Sequence, residues 1–274
     1  MGVVNQKGVI TSTLVQQRTN KLSFGVPALK NISIKSIGIL AAIALWAFVS
    51  ALGIFSTSLL PSPWTVFSSF LRLIQNGVLI DHTLSSLGRV FSGFFLAIAI
   101  AVPTGLVLGM WDNVRKAVDP VIEVLRPIPP IAIIPLAILW FGIGESSKIF
   151  IITYAAFFPI VLNVMGGIQQ VDPVHIKAAK TLGANSLQIF YYVVLRSAIP
   201  NIIIGMRAGV SMAFISLVAA ELIASNAGLG FLIQEARYLF KTDEVMVGMI
   251  TIGLVGFAIN RILLSAEKAL VRWK

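Results

Sequence analysis

From Val90 to Trp111 the chain runs without one charged residue. A helix of that length reaches about 33 Å at 1.5 Å per residue, enough to cross the ~30 Å hydrocarbon core of a bilayer. Similar apolar runs span Ser36 to Ser56, Ile149 to Gly167, about Asn201 to Ala224 and about Val245 to Leu264. Hydrophobic residues make up 57% of the chain, charged residues 12%, and the mean hydropathy is +0.91. A water-soluble domain has no core large enough to hide that composition. The expected fold class is all-α, a polytopic membrane protein of about six transmembrane helices.

Residues 1–35 are polar and basic without sustained periodicity and read as a cytoplasmic tail. The run from Ser36 is too long for a signal-peptide h-region and lacks an obvious small-x-small cleavage site, so it reads as an uncleaved first span, with an external connection completing residues 36–83. Pro61 and Pro63 open that connection, and Val66, Phe67, Phe70, Leu71 and Ile74 suit an amphipathic surface helix. Pro103 suggests a kink in the second span. Asp112, Asn113, Arg115 and Lys116 read as a cytoplasmic turn. Between Arg126 and Glu145, Pro127, Pro129, Pro130 and Pro135 interrupt an apolar stretch, which reads as a broken third span. A short external helix is expected around Leu229 to Phe240, between the fifth and sixth spans.

The net charge of +10 has a topological cause. With both termini and the long polar loop placed inside, Arg72, Arg89, Lys148, Arg237 and Lys241 remain outside and the other sixteen of the 21 Lys and Arg lie inside. That is the positive-inside bias, so charge carries no message about a nucleic acid or a solute. Cysteine is absent, and His82 and His175 both fall in hydrophilic connections, which excludes thiolate chemistry and leaves little basis for a metal site. No G-x-x-x-x-G-K-[ST] phosphate loop occurs; the stretch from Gly142 to Lys148 has the wrong spacing.

One hydrophilic stretch, Asp172 to Pro200, separates the fourth and fifth apolar runs. Asp172 suits a helix N-cap, Pro173 the first helical position, and Gly183 a left-handed stop. Val174, Ala178, Ala179 and Leu182 share one arc of this helix, and Lys177 and Lys180 the opposite one. A second short helix follows, with Asn185 as its cap and Leu187, Phe190, Tyr191 and Val194 at the spacing of a packed face. Together they form an elbow that offers a small apolar knob to a soluble partner.

Here the chain resembles the membrane permeases of binding-protein-dependent ABC importers, whose cytoplasmic loop carries a Glu-Ala-Ala, three residues, Gly signature. Ala178, Ala179 and Gly183 match, with Val193, Leu195 and Pro200 downstream. Lys177 stands where the Glu would be, and Arg196 where the first Pro of the closing group would be. The likeness extends from roughly Leu84 to Trp273 and includes Ser86-Leu87-Gly88-Arg89-Val90, Arg126-Pro127-Ile128-Pro129-Pro130, Trp140-Phe141-Gly142-Ile143-Gly144, Val218 to Ile223 and Gly228-Leu229-Gly230. Together these look like the branch that carries taurine and alkanesulfonates, with nitrate and bicarbonate permeases as near relatives.

The resemblance implies a type I ABC importer permease-like core over residues 84–274 with a coupling loop at 169–200. It implies a bacterial cytoplasmic (inner) membrane location and a non-catalytic subunit that binds no cofactor itself. ATP and Mg would sit on two partner ATPase subunits, beside a second copy of the permease (a homodimer) and an external solute-binding protein. The residues expected to meet the ATPase are Lys177, Ala178, Ala179, Thr181, Leu182, Gly183 and Ala184. Those expected along the path or its gate are Pro129, Pro130, Asn163, Ser211, Ser216 and Glu221, with Ser92, Thr104, Thr153 and Tyr154 as further polar side chains near the route.

Glu221 has two readings. An ionisable group at the centre of a span costs about 2.5–3.5 kcal/mol on insertion scales. It lies either at the external end in wetter surroundings, with Arg207 snorkelling to the opposite face, or at the mouth of the path, bonded to another span or to the Gly228–Gly230 turn. The prolines likewise serve packing or line a water-filled route. Gly105 with Gly109 and Gly205 with Gly209 permit close helix approach, within the chain or at a dimer seam. An intramembrane enzyme would need paired catalytic groups at membrane depth, and an ion-coupled carrier or channel would show inverted repeats or relay carboxylates; neither pattern is evident.

Overall fold

A computed structural model describes residues 27–270. The expected tail therefore lies mostly outside the described residues, as do both chain ends. The chain divides into two compact units after Pro63.

In the first unit, α1 (Pro27–Ala51) begins inside the expected tail, and its apolar part is Ile37–Ala51. The Trp46 indole N–H donates to the Pro61 carbonyl at 3.1 Å, which folds the segment after α1 back along it.

The second unit contains α2 (Pro63–Gln75), α3 (Val78–Met110), α4 (Asp112–Leu125), α5 (Pro130–Phe141), α6 (Glu145–Gln169), α7 (Pro173–Thr181), α8 (Ser186–Ile189), a π-helical turn (Phe190–Val194), α9 (Leu195–Ala224), α10 (Leu229–Tyr238) and α11 (Thr242–Leu270). Among the described residues every regular element is helical. Four helical stretches, Val78–Met110, Glu145–Gln169, Ser186–Ala224 and Thr242–Ser265, are long and apolar enough to cross a membrane. The α4–α5 pair, bent by 97°, passes the same test only when taken together, as a broken span or a re-entrant loop. Read as one span, that pair and the shorter apolar helix Ile37–Ala51 bring the count to about the six expected.

Helix α6 is the centre of this unit, and glycines on both of its neighbours let it in. A Cβ at Gly93, Gly105 or Gly109 of α3 would stand 2.6 to 2.7 Å from Ile152, Val164 or Ile168. These contacts advance together along both helices, so α3 and α6 run parallel. On the other side a Cβ at Gly205 or Gly209 of α9 would stand 2.8 Å from Asn163 or Ile160, and one at Gly167 of α6 would stand 2.6 Å from Asn201. There the contacts run in opposite directions, so α6 and α9 are antiparallel. In lipid, helices associate through van der Waals packing rather than exclusion of apolar surface from water, and small residues permit the closest contact. Both glycine pairs are thus used inside the chain. Around them Ala97, Ala101, Ala156, Ile160, Val164, Ala213 and Leu217 form the closed core.

Three local expectations are corrected. The polar group at Asp112 is no turn: it opens α4, where Asp112 lies at the positive end of the helix dipole and Arg115 pairs with Asp112 at 2.9 Å and with Asp119 at 3.9 Å. The second loop helix is not separate either, because α8, the π turn and α9 make one continuous 39-residue stretch with Pro200 inside it. In the π turn the Leu195 N–H donates to the Phe190 carbonyl, one residue further back than in an α-helix, and this changes which residues face inward. Ile189 and Val194 are buried, while Leu187 and Tyr191 stay exposed. On α2 the inward face is Val66, Ser69 and Leu73, leaving Phe67 and Leu71 outside. That face is held to α11, where Ser69 donates to Asp243 and Arg72 donates to Glu244 at 2.9 Å.

Candidate functional site

The elbow is built from short-range hydrogen bonds. Asp172 Oδ1 accepts from the Val174 N–H at 2.8 Å and starts α7. Gly183, at φ +81°, ends it: the Gly183 N–H donates to the Lys180 carbonyl and the Ala184 N–H to the Ala179 carbonyl, both at 3.0 Å. This is the Schellman arrangement, which calls for a residue with positive φ. Two residues later Asn185 and Gln188 form a reciprocal capping box, each side chain accepting from the other's backbone N–H at 2.8 Å. The turn is therefore over-determined.

Its faces differ from the helical-wheel reading. Ile176 and Ala179 turn toward the core, together with Ala184, while Val174 and Ala178 are exposed. Leu182 at the tip is 88% exposed. Lys177 is exposed on the same helix, the Thr181 hydroxyl donates back to the Lys177 carbonyl at 3.0 Å, and Arg196 lies over the Tyr192 ring. Ala179, Leu182, Gly183 and Ala184 line a cavity of about 320 Å³ between α7 and α8.

At the opposite end of α6 and α9 lies a second constellation. His82, Ser86 and Arg89 occupy one face of α3 at i, i+4 and i+7. Arg89 Nη1 donates to Glu221 Oε1 at 2.7 Å and to the Ala227 carbonyl at 2.6 Å. Its Nε and Nη2 clamp Glu145 at 2.7 and 2.8 Å, and Glu145 also accepts from Lys148 at 3.0 Å. The Glu221 carboxylate further accepts from the Ser86 hydroxyl at 2.9 Å and from the Gly230 N–H at 2.9 Å. Two acids and two bases make the cluster formally neutral, and the bidentate Arg89–Glu145 fork is the strong, directional kind of ion pair.

The same groups cap α10. Its leading N–H groups, which have no partner within their own helix, go to His82 Nδ1 from Gly228 at 3.0 Å, to Ser86 Oγ from Leu229 at 2.8 Å and to Glu221 from Gly230. Gly228, at φ +114°, allows this approach, since a Cβ there would run into the Glu221 carboxylate. Glu221 is thus bonded both to another span and to the Gly228–Gly230 turn, its side chain fully buried. Arg207, by contrast, donates to Glu267 at 3.1 Å from near the middle of α9. Sequence reasoning left Arg89, Ser86, His82, Glu145 and Lys148 without roles. The available signal was three polar residues at helical spacing in an apolar helix.

The remaining path residues are dispersed. Asn163 donates to the Pro159 carbonyl at 2.8 Å and Ser211 to the Arg207 carbonyl at 3.2 Å, each satisfied on its own helix. Thr104 does the same toward Ile100, and Thr153 bonds both Ile149 and the Gly93 carbonyl on α3. Ser216 is buried with its hydroxyl unpartnered. Pro129 is exposed, and Pro130 borders a cavity of about 260 Å³ at the α4–α5 break, beside α6. There the Tyr154 hydroxyl donates to the Leu125 carbonyl at 2.7 Å, occupying an acceptor at the break. Among the described residues no cluster of His, Cys, Asp and Glu could hold a metal ion.

Residues 101–274 match the family described as the inner membrane component of binding-protein-dependent transport systems. The chain is 35% identical to the taurine transport system permease protein of Escherichia coli K12, over 96% of this chain and 98% of that one. It is also 35% identical to a putative aliphatic sulfonates transport permease of Bacillus subtilis 168, over 85% and 84% of the two chains. Its fold is shared with an inward facing structure of the MetNI methionine ABC transporter at a TM-score of 0.63 and 20% identity, over 72% of this chain and 98% of that one. The chain belongs to the inner-membrane components of binding-protein-dependent transport systems and is a permease subunit of an ABC importer.

Proposed function

We propose that this permease imports a small organic anion of the taurine or alkanesulfonate class, delivered by an external binding protein, and that the hydrolysis driving it occurs on separate ATPase chains. The observation that carries the coupling half of this reading is the elbow: a rigidly capped nine-residue helix with Leu182 88% exposed at its tip. An apolar tip so fixed suits a groove on another protein. The cargo half is supported by the end-to-end likeness to a taurine permease.

In this reading two ATPase subunits close on ATP, with Mg, and pull on the elbows of two permease copies. The helices α6 and α9 carry the movement toward the end where Arg89 and Glu221 tie α3, α9 and α10 together. That tie holds the outer end in register and does not touch solute, since every oxygen of Glu221 is already engaged. The elbow and both chain ends face the cytoplasm, and the protein resides in the bacterial inner membrane. For an alkanesulfonate, one negative charge entering against 100 mV costs about 2.3 kcal/mol before any concentration gradient; for taurine, a zwitterion without net charge, the energy input serves the concentration gradient alone.

The test is uptake by proteoliposomes holding the assembled complex. ATP-dependent accumulation of taurine or a short alkanesulfonate, with no accumulation of nitrate or bicarbonate, is the expected result. Uptake of nitrate or bicarbonate alone would shift the cargo to the inorganic anions, and uptake unaffected by removing ATP would end the importer reading.

A further inference from the structure

We infer that Arg126, at the break between α4 and α5, is the cation that receives the anionic head of the solute midway through the membrane; this rests on the anion-import reading given above. The break is pinned to α6 by the Tyr154 hydroxyl on the Leu125 carbonyl, and Tyr154 stands nine residues from the start of α6 at Glu145, about 14 Å at 1.5 Å per residue. From Tyr154 to Gln169 at the loop end is about 22 Å more. Arg126 is therefore attached well inside the span and not at the loop end, where the charge count groups it.

Among the described residues no carboxylate pairs with it, whereas Arg89 and Arg207 each have one and the other span arginines without one, Arg196 and Arg261, lie over the Tyr192 and Phe257 rings. An unpaired guanidinium at this depth is costly in lipid and is retained where it meets water or an anion. Arg126 borders the 260 Å³ cavity at the break, which has room for several waters. The other walls are mostly apolar, including Ile128, Phe158, Leu162 and Met212, and the Tyr154 proton is committed to Leu125. One cation facing apolar walls fits a solute with a single anionic head and a short aliphatic body better than a compact, fully hydrated inorganic anion. A guanidinium also matches the planar, multi-oxygen face of a sulfonate.

The experiment compares Arg126→Gln and Arg126→Lys with the parent in the reconstituted complex, measuring solute-free ATP hydrolysis and ethanesulfonate uptake. Arg126→Gln should retain its solute-free hydrolysis within twofold while uptake falls at least tenfold, with Arg126→Lys intermediate. Parental uptake by Arg126→Gln overturns the assignment. If Arg126→Gln fails to assemble, Met212→Cys decides, since the chain has no other cysteine. Its modification by an anionic thiosulfonate reagent should slow at least threefold with ethanesulfonate present, and unchanged modification overturns the site. A parent complex that takes up no organic sulfonate would refute the cargo reading instead, a result separate from either variant's behaviour.

Discussion

Arg89 and Glu221, 132 positions apart in sequence, meet at 2.7 Å and join α3 to α9 at the end of the bundle remote from the elbow. The pair is buried, and a buried charge left alone is expensive. Glu221→Ala should therefore cost about 3–5 kcal/mol of stability, and Glu221→Gln less because an amide still accepts from Gly230 and Ser86. Thermal unfolding of the purified subunit in detergent checks this. The Arg89→Ala, Glu221→Ala double variant should lose clearly less than the two single losses summed; strict additivity would show that the two side chains do not act together.

Packing against α6 should be sensitive at Gly105 and indifferent at Gly166. A Cβ at Gly105 would lie 2.7 Å from Val164, whereas one at Gly166 meets nothing within 4 Å. Gly105→Ala should destabilise by about 1–3 kcal/mol through overpacking, and Gly166→Ala should leave the unfolding temperature nearly unchanged. Equal effects would contradict the parallel α3–α6 seam.

At Gly183 the backbone requires positive φ, with open space around the position. Gly183→Val should strain the turn without a steric clash, leaving membrane insertion and yield intact while ATP-driven uptake collapses. Normal uptake by that variant would detach the elbow's shape from coupling.

The purified permease should hydrolyse no ATP by itself, in keeping with a chain that has no phosphate-cradling glycine loop. A phosphate-release assay on the isolated subunit checks this, and turnover without any added protein would contradict it.

What the sequence disclosed was what local chemistry decides. Asp172, Gly183 and Asn185 act as cap, stop and cap because each works through backbone groups two to five residues away. The apolar runs gave the spans, and the prolines gave the break. The faces of α8 were not legible, because the inserted π turn at Phe190–Val194 shifts the phase that a regular wheel assumes. Nor was the helix start at Asp112, since the same polar residues suit a turn equally well. Which groups pair within the Arg89 cluster was not legible for a different reason: its bonds join α3, α6, α9 and the Ala227–Gly230 segment, and no spacing rule connects residues so far apart.

The central claim is that a separate ATPase grips the elbow. A photo-crosslinking residue placed at Leu182 in the intact complex tests it most directly. Irradiation should join the permease to the ATP-hydrolysing chain in high yield, and a control at exposed Trp64 on α2 should not. Crosslinks from Leu182 to the external binding protein, or to no ATPase chain, would contradict the account.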